Sequence, residues 1–248
     1  MNRQIQVGFS QRIQLEWLEY TADLVLAGYS RAEIEEALQE LLKERLSRGR
    51  TAQSRGNREK AITILLKIWA SPPAHVRELR DDGLELLRVI PKEQHLAMHW
   101  GMTMAVYPFV SIVAEIVGRL LRLQDVVSQA QVQQRLREHL GERETVARAA
   151  RRVMRCFIDW GVLQETSHKG VYRAAPAQKI ASEKLAAWLM EAALVASGSD
   201  ARPLTQLVSS PVLFPFSLEG VTPYVIEGSG RLCLYRQGLN EDVVMLRG

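Results

Sequence analysis

Apolar positions recur every three to four residues through most of the first half of the chain, the spacing that lines one face of an α-helix. Ile13, Trp17, Tyr20 and Leu24 form such a stripe over about 10–27, with Ser10 as its expected cap and Gly28 as its stop. Ser30 followed by Glu33 is a capping box for a second helix that carries Ile34, Leu38, Leu41 and Leu42. Residues 47–60, SRGRTAQSRGNREK, have no apolar periodicity and contain two glycines, so they read as an exposed basic loop. A helix resumes near Asn57, runs through Ile62, Leu65, Leu66 and Trp69, and ends at Ser71-Pro72-Pro73. Helical spacing also covers about 74–90, 92–107 and 109–124, and no repeat of fixed period is visible.

The pattern changes after residue 124. Ser128 and Gln131 form a capping box ahead of Val132, Leu136 and Leu140, and Gly141 supplies a tight turn before a second helix near Glu142. At about 100° per residue, Val146, Ala149, Ala150, Val153 and Phe157 fall on one face of that second helix. Arg148, Arg151, Arg152 and Arg155 fall on the opposite face. Trp160-Gly161 ends the helix, a polar loop with His168, Lys169 and Gly170 follows, and Val171-Tyr172-Arg173 returns as a strand. Asp125-Val126-Val127 supplies a short first strand to pair with it. A further helix over about 178–196 leads into a proline- and glycine-containing segment, 203–248. There Tyr224-Val225-Ile226 and Leu232–Tyr235 flank Glu227–Arg231 as a hairpin, and Val243–Leu246 forms a last strand.

This order of helix, turn, helix, strand, polar loop and strand resembles a winged helix-turn-helix over about 109–175. The resemblance implies DNA contact through the second helix and through a wing tip at His168 and Lys169. The wider order resembles the small BrxA-type proteins of bacterial BREX phage-defence systems over about 10–195. It comprises a helical first half with an Arg/Ser-containing break, an apolar helical pair and a winged unit. That likeness implies a non-catalytic, DNA-associated component of a defence complex. Residues 203–248 have no counterpart in it.

Charge sharpens the reading. The net charge is only +4 across 248 residues, but Lys and Arg outnumber Asp and Glu by eleven to six over 119–173 and by seven to two over 43–60. Two +5 clusters therefore sit in a chain that is otherwise acidic, a distribution suited to a polyanion. The expected contacts are Arg143, Arg148, Arg151, Arg152, Arg155, His168, Lys169 and Arg173, with Arg48, Arg50, Arg55 and Arg58 from the basic break. Apolar residues at 47% and charged residues at 24% exclude a largely disordered chain.

Other chemistry is weakly represented. The sequence has no phosphate-binding GxxxxGK[ST] loop, no GxGxxG after a strand, and neither GxSxG nor HExxH. His95 and His99 share a helix face, but their apolar neighbours favour a packed helix over a metal site. Asp81-Asp82 beside Gly83 reads as a turn or cap. Cys156 stands beside Arg155, yet Val153 and Phe157 argue for burial, and the two cysteines build neither a disulfide framework nor a metal knuckle. The run from Leu96 to Ala114 carries no Asp, Glu, Lys or Arg, and Pro108 within it favours two buried helices over a membrane span.

The expectation is a mainly α protein in three segments. These are a helical domain over 1–108 with a basic loop at 47–60, a winged helix-turn-helix over 109–176, and a helix with a β-hairpin over 177–248. The expected role is cytoplasmic and non-catalytic, without metal or cofactor and without membrane contact. Double-stranded DNA and protein partners in a larger complex are the expected ligands, as for a regulator or a complex component. The alternative is an interaction adaptor using the winged unit and the tail.

Overall fold

A long run without charge has to be buried, and α5 (His95–Val106) and α6 (Pro108–Leu123) form the centre around which the rest of the chain packs. The computed structural model describes residues 7–43, 45–46, 52–218, 221–237 and 241–247, with the backbone alone at 52–55 and 237. Every residue from Ala97 to Tyr107 is buried. Pro108 opens α6 in its first turn, where its missing N–H costs no hydrogen bond, and the two helices meet at 118°. Among the described residues no single helix is long and apolar enough to cross a membrane.

Helix α1 (Leu15–Leu26) packs against α5, α2 (Arg31–Lys43) and α3 (Ala52–Leu65) pack against α1 and each other, and α4 (Arg77–Leu87) packs against α5. The capping box at the start of α2 forms as expected: Ser30 N–H donates to Glu33 Oε2 at 2.7 Å and Glu33 N–H donates to Ser30 Oγ at 3.4 Å. Helix α1, however, begins at Leu15 rather than beside Ser10. The cause is tertiary. Ile13 N–H is spent on Cys156 Sγ and Ile13 C=O accepts from Trp160 Nε1, so the main chain there is not free to join a helical ladder.

The expected loop at 47–60 is corrected from Ala52 onward, where α3 has already begun. Ala52 is the one apolar residue among 52–60, so periodicity could not mark a helix there. Arg48 and Arg50 lie outside the described residues, as does the side chain of Arg55. Helix α3 ends in a wide turn, Leu66–Ala70, in which Ser71 N–H reaches back five residues to Leu66 C=O at 2.7 Å.

Helix α9 (Glu183–Ser197) starts later than expected because Gln178–Lys179 instead form β4, parallel to β6 (Phe216–Ser217). The α9 indole of Trp188 fills a slot built by two glycines. A Cβ at Gly101 of α5 would come within 2.5 Å of its ring, and one at Gly83 of α4 within 3.0 Å. The indole N–H donates to Leu79 C=O at 2.8 Å. Asp81, Asp82 and Gly83 therefore lie inside α4, not at a turn.

The tail pairs differently from expectation. Tyr224-Val225-Ile226 belong to the short helix α11 (Pro223–Glu227), opened by a proline in its first turn. The hairpin is formed instead by β7 (Leu232–Gln237) and β8 (Glu241–Leu246), with Leu232 opposite Leu246. Strand β5 (Ala201–Pro203) adds to the free edge of β8, and α10 (Leu204–Val208) follows. One continuous apolar core joins residues from all three expected segments.

Candidate nucleic-acid interface

Five elements after α6 build the basic surface. Strand β1 (Val126–Ser128) leads into α7 (Gln129–Leu140), and α8 (Glu144–Asp159) leads into β2 (Leu163–Glu165) and β3 (Val171–Ala174). The expected capping box starts α7: Gln131 N–H donates to Ser128 Oγ at 3.1 Å and Ser128 N–H donates to Gln131 Oε1 at 2.8 Å. Gly141 ends α7 with φ of 77°, a left-handed conformation that a side chain would strain. The three strands form an antiparallel sheet in the order β1-β3-β2, with Val127 opposite Tyr172 and Gln164 opposite Arg173.

Helix α8 divides as its sequence pattern predicts. Val146, Ala149, Ala150, Val153 and Phe157 are buried, along with Met154 and Cys156. Full burial of a side chain such as Val153 or Phe157 stabilises by about 1.5–3 kcal/mol, which anchors the helix and fixes which face looks outward. Arg148, Arg151 and Arg155 are exposed and Arg152 is half-buried. All four line one shallow concavity of about 320 Å³.

Carboxylates engage the ends of this row and not its middle. Arg148 pairs with Glu144 at 3.4 Å and Arg155 with Glu165 of β2 at 2.8 Å. Among the described residues, Arg151 and Arg152 have no carboxylate partner. Glu165 arrives from a strand ten residues downstream of Arg155, beyond the reach of helical periodicity.

The remaining candidates are distributed around the same module. Arg143 precedes α8 and donates to Leu140 C=O at 3.2 Å, beside the turn between the helices. His168 and Lys169 are exposed on the loop between β2 and β3. Thr166 holds that loop in shape, its hydroxyl donating to Val171 C=O at 3.0 Å and accepting from His168 N–H at 3.2 Å. Gly170 turns the chain with φ of 78°. Arg173 is exposed on β3, and its Nε donates to Gln164 Oε1 at 3.1 Å. Arg58 is half-buried on α3 and does not line the concavity.

A fifth guanidinium does line it. Arg12, from the extended segment before α1, makes a side-on ion pair with Asp159 at the end of α8, Nε and Nη2 each donating to one carboxylate oxygen. No sequence signal points to this residue, because the pairing spans 147 positions.

Behind α8 the polar groups are spent on packing. Burial pushes the Cys156 thiol up to about 12, so it is inert as a nucleophile at neutral pH. His95 Nδ1 and His99 Nε2 each lie 2.6 Å from one oxygen of Glu19. Burial alone would raise Glu19, but the hydrogen bonds that it makes with His99 and His95 outweigh it and hold the carboxyl at about 2. Among the described residues no group of three or more His, Cys, Asp or Glu side chains is arranged to hold a metal ion. No protein-family model, curated protein or solved structure matches this chain.

Proposed function

We propose that residues 109–175 form a winged helix-turn-helix that binds duplex DNA, with α8 as the helix that enters the groove and the β2–β3 loop as the wing. The row of Arg148, Arg151, Arg152 and Arg155 on the outward face of α8 carries the reading. Guanidiniums supply forked donors that suit phosphate oxygens and guanine edges. The antiparallel order β1-β3-β2 supports the module, since it gives α8 a short sheet at its base and ends in a loop bearing His168 and Lys169. The role is non-catalytic, as a regulator or as the DNA-contacting part of a larger complex. The resemblance to BrxA-type proteins would make that complex one of phage defence.

A second reading, a protein-docking adaptor, draws on a groove between α6 and α7 whose apolar side chains are flanked by Glu115, Arg119, Arg135, Glu138 and His139. Ile112, Ile116, Leu120, Leu123 and Leu140 line it, and Leu123 is 85% exposed. Titration of duplex binding with salt separates the two. The DNA reading expects log affinity to fall against log salt with a slope of about −0.9 per phosphate contacted. Absence of duplex binding at low salt, or a slope near zero, rejects it in favour of the adaptor.

A further inference from the structure

The concavity on α8 is not built by the helix-turn-helix alone. Arg12 comes from outside the module and stands with Arg148, Arg151, Arg152 and Arg155 around the same space. Its position is over-determined by neighbours on both sides. Ile13 N–H donates to Cys156 Sγ at 3.2 Å, Trp160 Nε1 donates to Ile13 C=O at 2.9 Å, and Gln11 Nε2 donates to Asn57 Oδ1 at 3.1 Å. The backbone that carries Arg12 is thereby fastened to α8 and to α3.

The side chain is oriented as well as placed. Asp159 takes two of the five guanidinium N–H donors and leaves three. The Asp159 side chain is 15% exposed while that of Arg12 is 54% exposed, so the carboxylate grips from below and the free donors face outward. Glu165 differs: its side chain is 59% exposed at the surface beside Arg155, where it competes with an arriving anion. Two acidic residues next to the same row therefore have opposite roles.

We infer that Arg12 closes a phosphodiester-binding cradle with Arg151 and Arg152, and that Asp159 is the positioning residue that holds Arg12 open to it. This rests on the nucleic-acid reading of α8 and extends its footprint onto the N-terminal segment. A phosphate contact of this kind sets register and affinity without reading sequence.

The test compares wild type, Arg12→Ala, Asp159→Asn and Arg151→Ala for binding to a duplex over about 50–200 mM salt. Arg12→Ala is expected to weaken binding about tenfold on unrelated sequences and to reduce the salt slope by about 0.9. Asp159→Asn removes a negative charge, which general electrostatics would turn into tighter binding. The inference expects weaker binding and a shallower slope. Tighter binding by Asp159→Asn, or an unchanged slope in Arg12→Ala when Arg151→Ala has lost affinity, overturns the inference and leaves the DNA reading intact. No duplex binding by wild type overturns both. Should Arg12→Ala not fold, footprinting of the wild-type protein with an arginine-selective dicarbonyl decides the matter. Duplex is expected to protect Arg12 together with Arg151, and protection of Arg151 alone overturns the inference.

Discussion

The indole N–H of Trp69 donates to Nδ1 of the fully buried His99 at 3.1 Å. An indole has only a donor to offer, so Nδ1 must be the bare nitrogen and Nε2 must carry the proton that goes to Glu19. The geometry thus holds His99 as a neutral imidazole, and burial lowers its proton affinity in agreement.

Acid should therefore weaken the fold in two stages. His99 is lowered in the folded protein, so below about pH 6.5 the unfolded chain binds a proton that the folded chain refuses, and stability falls by at most about 1.4 kcal/mol per pH unit. Glu19 contributes stability above its ordinary carboxyl range that is lost as pH falls from about 4.5 towards about 2. Urea midpoints measured from pH 7.5 down to 5 should decline, and His99→Gln should flatten that decline. A flat profile in the wild-type protein would show that His99 is protonated in place.

The two faces of α8 predict opposite phenotypes. Val153 is fully buried, so Val153→Asp places an unpaired carboxyl in the core and should cost several kcal/mol in denaturant unfolding. Arg151 is exposed without a carboxylate partner, so Arg151→Ala should leave stability within about 0.5 kcal/mol while reducing DNA affinity. Equal destabilisation by both would mean that the assigned faces are reversed.

Glu165 restrains Arg155 across 2.8 Å at the surface. Glu165→Gln frees that guanidinium and removes a negative charge from the row, and duplex affinity should rise severalfold at low salt with little change in melting temperature. Unchanged affinity would place Arg155 outside the contact surface.

The loop at His168 and Lys169 tests the wing. Both side chains are exposed, so the double alanine variant should melt within about 0.5 kcal/mol of wild type. Under the DNA reading it should bind more weakly on every duplex, with the salt slope reduced by about one unit. Full affinity and full slope would leave α8 to carry the contact without the loop.

Arg231 holds the tail to the helical body. It pairs with Glu191 of α9 at 2.7 Å and also with Glu78 of α4, while the Glu191 side chain is only 3% exposed. Burial raises Glu191 and the arginine opposes that rise. Arg231→Ala would strand the carboxylate, at a cost of about 2–3 kcal/mol once the partial exposure of the arginine is allowed for. Thermal unfolding should show that loss, and Glu191→Gln in the same background should recover part of it.

The amino-acid sequence by itself determined the features whose pattern is complete within about one or two helical turns of α2, α6, α7 and α8. Residues Val146 to Phe157 carry both stripes of α8, since 3.6-residue periodicity alone decides which side chains share a face. The Ser128–Gln131 and Ser30–Glu33 boxes close over three residues, and Pro108 has its effect at its own position. The tertiary structure decided what depends on distant partners. Ile13 spends its main-chain groups on Cys156 and Trp160, and so sets where α1 begins. β7 chose β8 over Tyr224–Ile226 because strand pairing is a competition between segments, which periodicity within one segment cannot judge. Arg12 reaches Asp159, and Glu19 reaches His95 and His99, across separations of 76 to 147 residues. Such pairs exist only once packing has brought the backbones together, because a charge in the unfolded chain has no memory of which opposite charge it will meet.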